Sequence, residues 1–342
     1  MTTTPAPTPS ATPSATPSAT PSATHATPYD VVVVGGSVAG LAAAVALARS
    51  LRSVLVVDAG HPRNAPAEGA HNVLGQEGVA PAELLARGRA EATAYGVTVL
   101  PGRATGATRT EEGFAVEVTG DAGRRYDVAG RRLLLATGLV DELPDVPGLR
   151  EHWGREVVHC PFCHGYEVRG GRIVVLGTSP MAVHQTLMFA ALSDDVTLVR
   201  DGMPQPEQQD LARLEALGVR LVEGPAVRLD ERPGDGLDLV LASGERLPAD
   251  AVPVQSRVVA RSELFAQLGG ELVDHPSGMA RHVATELGGR TSVPGVFAAG
   301  SLAEPMAIVV ASMASGVAVG GAVHLDLLLA DADARAAGSG PR

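Results

Sequence analysis

Both cysteines of the chain sit in one short stretch, His159-Cys160-Pro161-Phe162-Cys163-His164-Gly165-Tyr166, spaced C-x-x-C with a histidine on either side. A C-x-x-C at the start of a helix puts one sulfur near the exposed first turn, where the N-terminal dipole and a neighbouring cation stabilise its thiolate. Cys160 and Cys163 therefore read as a pair that makes and breaks a disulfide. Three other uses suit the pattern less well. A purely structural disulfide across two intervening residues closes almost no loop and constrains the unfolded chain little. Structural zinc usually draws its ligands from two separated segments, whereas both cysteines and both histidines lie together here. Cys160-Pro161-Phe162-Cys163-His164 also fits the haem-attachment pattern C-x-x-C-H, a chemistry that needs an export signal, and none is visible.

A dithiol needs an electron partner, and the stretch before it offers one. Val31-Val32-Val33-Val34 reads as a buried strand, Gly35-Gly36-Ser37-Val38-Ala39-Gly40 as a tight turn, Leu41 to Leu47 as a helix, and Val54-Leu55-Val56-Val57 as a second strand ending at Asp58. This is the βαβ dinucleotide fingerprint: a turn whose amides face a pyrophosphate at a helix N-terminus, and an acid for the ribose hydroxyls. Ser37 replaces the glycine of closest approach, and its small side chain and hydroxyl suit a phosphate. Further on, a loop from Ala65 leads to a helix from Pro81. Strands are expected at 97–100, 114–118 and 125–128, and Arg132 to Leu135 forms another buried strand with the exit Ala136-Thr137-Gly138.

After Cys163 the plan restarts. Arg172 to Leu176 reads as strand, Gly177-Thr178-Ser179-Pro180-Met181-Ala182 as turn, Val183 to Leu192 as helix and Val196 to Val199 as strand. This second unit is degenerate: Pro180 removes an amide, and Arg200-Asp201-Gly202-Met203-Pro204 lacks the basic cluster that would hold a 2′-phosphate. Asp201 would favour NADH over NADPH. A fold retained after loss of its nicotinamide cofactor accounts for the residues at least as well, so NAD(P)H is the less favoured partner. Near the end, Gly295 to Ser301 is a strand with a small-residue exit, and Ala307 to Leu329 a long helix. Gly316, Gly320 and Gly321 in that helix imply close packing against a flavin edge, a second subunit or the helix's own sheet.

At 342 residues, 45% hydrophobic with 40 glycines, the chain suits two packed α/β domains. Its net charge of −11 gives no electrostatic reason to expect nucleic acid or an anionic membrane as partner. Residues 1–28 repeat Ala-Thr-Pro-Ser units, carry no Lys or Arg and hold nothing apolar larger than alanine after Met1, so they read as a disordered tail rather than a targeting signal. No later segment has the roughly 18 uninterrupted apolar residues of a membrane span. A cytoplasmic enzyme with reduced resting thiols is expected.

With Gly35 to Gly40, Ala136-Thr137-Gly138, the C-x-x-C, Gly177 to Ala182 and Gly295 to Gly300 in this order, the chain resembles the low-molecular-weight thioredoxin reductases from about Tyr29 to Ala330. The resemblance implies two Rossmann-like domains, three-layer ββα, with an FAD domain (29–143 and 263–332) split by an NAD(P)-like domain (144–262) that carries the dithiol, a flexible end at 333–342, and a homodimer. It implies FAD held by Gly35, Gly36, Ser37, Ala39, Gly40, Asp58, Ala136, Thr137, Gly138, Gly300 and Ser301. It also implies that Cys160 forms the mixed disulfide while Cys163 faces the flavin. His164 stands where that family usually has the aspartate that moves protons, and Ser301 where it has an aspartate on the ribityl chain. The form C-x-x-C-H-G-Tyr-Glu, with the eroded basic motif, is similar to the dithiol oxidases that close disulfides in holomycin- and gliotoxin-type natural products. Those relatives pass electrons through the cysteines and FAD to dioxygen.

His164, with an ordinary pKa of about 6.5, can take a thiol proton near neutral pH, and as a cation it would favour thiolate. His159, lying before the helix, has a weaker claim. The expected function is oxidation of a small-molecule dithiol. The alternatives are an NAD(P)H-dependent disulfide reductase acting on a small disulfide or a thioredoxin-like protein, and a non-catalytic flavin redox sensor.

Overall fold

The computed structural model describes residues 28–234, 236–276, 278 and 280–338. Apart from Pro28, the tail expected over 1–28 lies outside the described residues, as do 339–342. The chain opens with β1 (Tyr29–Val34), α1 (Val38–Arg49), β2 (Val54–Asp58), α2 (Pro81–Ala94) and β3 (Thr98–Pro101), with β1, β2 and β3 parallel. Three antiparallel strands follow: β4 (Arg103–Arg109), β5 (Phe114–Thr119) and β6 (Arg125–Leu135). Two expectations are corrected here. The strands read at 125–128 and 132–135 are one strand of 11 residues. Its first half pairs with β5 and its second half with β1, and Gly130 lets it pass Val32, whose Cγ2 would lie 2.7 Å from an added Cβ. Strand β4 was not expected at all.

The crossing strand β7 (Leu139–Glu142) leads to β8 (Val157–Val158), the short helix α3 (Pro161–His164), β9 (Ile173–Gly177), α4 (Met181–Ala190), β10 (Val196–Arg200), α5 (Gln208–Ala216) and β11 (Arg220–Glu223). Strands β9, β10 and β11 form a second parallel sheet. An antiparallel trio, β12 (Ala226–Glu231), β13 (Leu237–Leu241) and β14 (Arg246–Ala249), packs on it, and β15 (Val252–Pro253) pairs β8. The chain returns through β16 (Arg257–Ala260), antiparallel to β7, then α6 (Glu263–Gln267), the short pair β17 (Val273–Asp274) and β18 (Arg281–His282), β19 (Val296–Ala298) and α7 (Val309–Ala336). β19 lies beside β6, completing a 7-stranded sheet.

The valine runs form strands because both faces are covered. Val31 and Val33 pack toward α1 and α7, while Val32 and Val34 pack toward the β4–β5 face. The second sheet repeats this, with Ile173 and Val175 against α4 and Val174 and Leu176 against the antiparallel trio. By length and composition α7 is long and apolar enough to cross a membrane, but its Val319, Val323 and Leu327 belong to the core with α1. An added Cβ at Gly316 would meet the Ala39 carbonyl at 2.1 Å and one at Gly320 the Ala43 carbonyl at 2.9 Å, whereas Gly321 faces open space. Two of the three glycines therefore serve packing on α1. The helix also runs to Ala336, past the expected boundary at 332, and Asp331 near its end is held by Arg131 and by Arg52 at 2.8 Å.

Candidate active site

The turn between β1 and α1 lines a cleft of about 590 Å³ together with Asp58, Ala136, Thr137, Gly138, Gly300 and Ser301. It is a backbone cradle. A Cβ at Gly35, whose φ is +112°, would sit 2.2 Å from the Ala136 carbonyl, and one at Gly40 would sit 1.8 Å from the Gly35 carbonyl. Gly300, with φ +69°, brings its own backbone against Ala39. Ser37 caps α1 with extended backbone but makes no side-chain capping bond, so its hydroxyl and the first-turn amides of a 12-residue helix are left for an anion. Asp58 lines the cleft while accepting from the Gly60 amide at 3.1 Å and from Arg89 at 2.9 Å. The Thr137 hydroxyl is spent on the Arg261 carbonyl at 2.6 Å. Arg103 and Arg261 line the same cleft, and burial together with the neighbouring Arg103 charge holds the Arg261 guanidinium below its ordinary pKa. Neither arginine was singled out from the sequence, because neither carries a motif.

A second cleft, of about 350 Å³ and mostly apolar, holds Cys160, Cys163 and His164. The two clefts meet: Ser37, Val38, Arg63, Ser301 and Ser312 are walls of both. The sequence-predicted dithiol and dinucleotide residues are thus brought together.

Helix α3 is a single turn, so the expected dipole of a full helix is not what acts on the sulfurs. Cys160 is its N-cap, and its pKa is lowered to about 7, chiefly because the Cys163 thiol donates to its sulfur, with the Phe162 and Cys163 amides and the Arg63 charge adding to it. The same hydrogen bond, with burial, pushes the Cys163 thiol up. Reduced protein should therefore be alkylated first at Cys160. The rate should follow a titration near 7, and peptide mapping after short iodoacetamide pulses would detect a reversed order.

His164 differs from expectation. Burial, the largest influence, holds its pKa below 6.5, so the ring rests neutral at neutral pH and the expected cationic aid to thiolate is absent. Both ring nitrogens are buried without a hydrogen-bond partner. His159 is likewise held below 6.5 by burial and Arg63, and its Nδ1 lies 3.3 Å from the Val254 carbonyl. Gly165 follows because a Cβ there would clash with the Pro161 carbonyl at 2.3 Å and with Leu192 at 2.4 Å.

Several site residues come from the loop after β2. Arg63 grips Asp141 of β7 with two bonds of 2.6 and 2.7 Å, and Ser256 donates to the same carboxylate at 2.7 Å. Asn72, at φ +59°, donates from its side chain to the Phe162 carbonyl at 2.8 Å.

The glycine turn of the second unit is packed closely at its first glycine, and the polar side chains beyond its second strand are already bonded. Met203 Sδ lies 2.6 Å from where a Cβ of Gly177 would be, Asp201 accepts from the Ala226 amide at 3.2 Å, and Arg200 pairs with Glu223.

This pairing of a dinucleotide cradle with a half-buried dithiol defines a flavoprotein disulfide oxidoreductase. The chain belongs to the pyridine nucleotide-disulphide oxidoreductase family, whose pattern matches residues 29–316. It is 35% identical over 291 residues to thioredoxin reductase tcpT of Claviceps purpurea (strain 20.1), covering 79% of this chain and 85% of that one. It is 32% identical to thioredoxin reductase sirT of Leptosphaeria maculans, covering 90% and 97%. Among solved structures, HlmI superposes with a TM-score of 0.83 at 39% identity, covering 92% of this chain and 98% of that one. An oxidoreductase from Agrobacterium tumefaciens gives 0.81 at 36% identity, covering 89% and 99%. The protein is an FAD-binding enzyme of dithiol–disulfide exchange, and the unbonded Ser37 hydroxyl, the glycine cradle and the flanking arginines fit that cofactor.

Proposed function

We propose that the enzyme is a dithiol oxidase that closes a disulfide in a small molecule with dioxygen as acceptor. The observation that carries this reading is the contrast between the two glycine turns: the first opens onto the dithiol cleft, whereas the second loses an amide at Pro180 and is followed by Asp201 and Arg200, whose side chains are already bonded to the protein. Starting from the Cys160–Cys163 disulfide, a substrate thiolate attacks the Cys160 sulfur, and the Cys163 thiolate leaves. His164, neutral and unpartnered, takes the proton of the second substrate thiol. That sulfur then attacks the mixed disulfide, releasing the substrate disulfide and the Cys160 thiolate. The Cys163 sulfur, its pKa raised, takes up a proton after leaving and donates it to the Cys160 sulfur, and a thiol whose pKa is thereby about 7 is a good leaving group for this last step. When bound, FAD supplies the two-electron acceptor that returns the cysteines to the disulfide and hands the pair to dioxygen, giving hydrogen peroxide.

The same reading assigns FAD to Gly35, Gly36, Ser37, Ala39, Gly40, Asp58, Ala136, Thr137, Gly138, Gly300 and Ser301. It takes residues 29–143 and 263–332 as one domain and 144–262 as the inserted one; the pairing of β19 with β6 supports that division. A second copy of the chain is proposed on the outer side of α7, where Val310, Val317, Leu325, Leu328 and Leu329 are exposed. A reducing cytoplasm suits its free cysteines. A second reading, reduction of a thioredoxin-like protein by NAD(P)H, is favoured by the names of the curated relatives. Peroxide release from a small dithiol in air, without nicotinamide, is expected. Anaerobic bleaching of the flavin by NADH or NADPH at a catalytic rate would select the second reading instead.

A further inference from the structure

Among the described residues, two side chains lining the dithiol cleft carry buried polar atoms without a partner, and only one of the two is accounted for by proton transfer. The other is Gln185 on α4, which is 2% exposed and lines the cleft. Its amide orientation is fixed: Nε2 donates to the His159 carbonyl at 2.6 Å, so turning the amide over would set two oxygens against each other. That leaves Oε1 buried with no donor among the described residues. The Cys163 thiol of the same cleft is given to Cys160. A buried acceptor left empty is a rare feature in a native protein, and the cleft that Gln185 lines has Met181, Met188 and Trp153 among its other walls.

We infer that Gln185 is a specificity-determining residue of this cleft, its Oε1 accepting a hydrogen bond from an N–H or O–H that the substrate carries close to its sulfurs. The inference rests on the dithiol-oxidising reading and narrows it, since a dithiol without such a donor would bury Oε1 unpaired. A site built to pair a polar group discriminates strongly against the analogue that lacks it, because its own buried atom is then left unsatisfied. Gln185 also pins the carbonyl just before Cys160, so loss of activity alone would not separate a contact with substrate from support of the loop. A ratio between two substrates does.

The test uses dithiothreitol and 1,4-butanedithiol, which share their sulfur spacing and differ in two hydroxyls. The readout is kcat/KM for anaerobic bleaching of the flavin in the wild-type holoenzyme and in Gln185→Met. The wild type is expected to favour dithiothreitol, and Gln185→Met to lower that preference by about tenfold or more. Each ratio is taken within one preparation, so incomplete folding cancels. Should Gln185→Met fail to hold flavin, Gln185→Asn, which keeps an amide but withdraws it from the cleft, is read by the same ratio. An unchanged ratio in the variant, or no preference in the wild type, would overturn the assignment while leaving the oxidase reading intact. If neither dithiol bleaches the wild-type flavin, the oxidase reading fails and takes this one with it.

Discussion

Cys160→Ser is expected to slow dithiol oxidation by at least about a thousandfold, because the serine oxygen cannot form the mixed disulfide through which the proposed route passes. The flavin should remain bound and coloured, since Cys160 lines the dithiol cleft and not the cradle. Peroxide release with dithiothreitol in air measures the effect, and turnover at the wild-type rate would exclude any mechanism through the cysteines. The pH dependence of the wild type carries a related sign. A base held below 6.5 by burial stays unprotonated further into acid, so the acid limb assigned to His164 should lie below 6.5. Unfolding releases His164 and His159 to water, where they bind protons more readily. Stability should therefore fall as pH drops below about 6.5 and be unaffected by these groups above it.

Gly35→Ala is expected to remove the cofactor altogether. The residue sits at φ +112°, and the new methyl would lie 2.2 Å from the carbonyl oxygen and 2.7 Å from the carbonyl carbon of Ala136. No rotamer relieves a clash between a Cβ and backbone, so β1 and the exit of β6 must part, and the strained φ adds to this. Together these cost about 3 kcal/mol or more. Purified variant should be colourless and melt earlier, and full visible flavin absorbance at wild-type stability would contradict the role given to the cradle.

What could be read from the sequence were features written in contiguous residues. The run Val31 to Val34, the turn after it and the C-x-x-C each carry their meaning locally, and each falls where the pattern puts it. Strand β4 escaped because Arg103-Ala104-Thr105-Gly106-Ala107-Thr108-Arg109 has hardly any apolar alternation; pairing along β5 and the burial of Ala107 make it a strand. Strand β6 was divided because Ala129-Gly130-Arg131 interrupts its apolar pattern at the point where it changes neighbours. Arg63 could not be placed at the site from the sequence, since its partner Asp141 is on another element and only the fold joins them. The neutral state of His164 was also out of reach, because burial is a property of the packed cleft and not of the residue type.

The walls common to the two clefts have a thermodynamic corollary. Whatever presses on Ser37, Val38, Arg63, Ser301 and Ser312 from one side alters the shape offered on the other. Cofactor retention and substrate affinity are then linked functions: the factor by which bound flavin tightens an inert dithiol analogue must equal the factor by which that analogue tightens the flavin. The apoprotein's affinity for its substrate then differs from the holoenzyme's by that same factor.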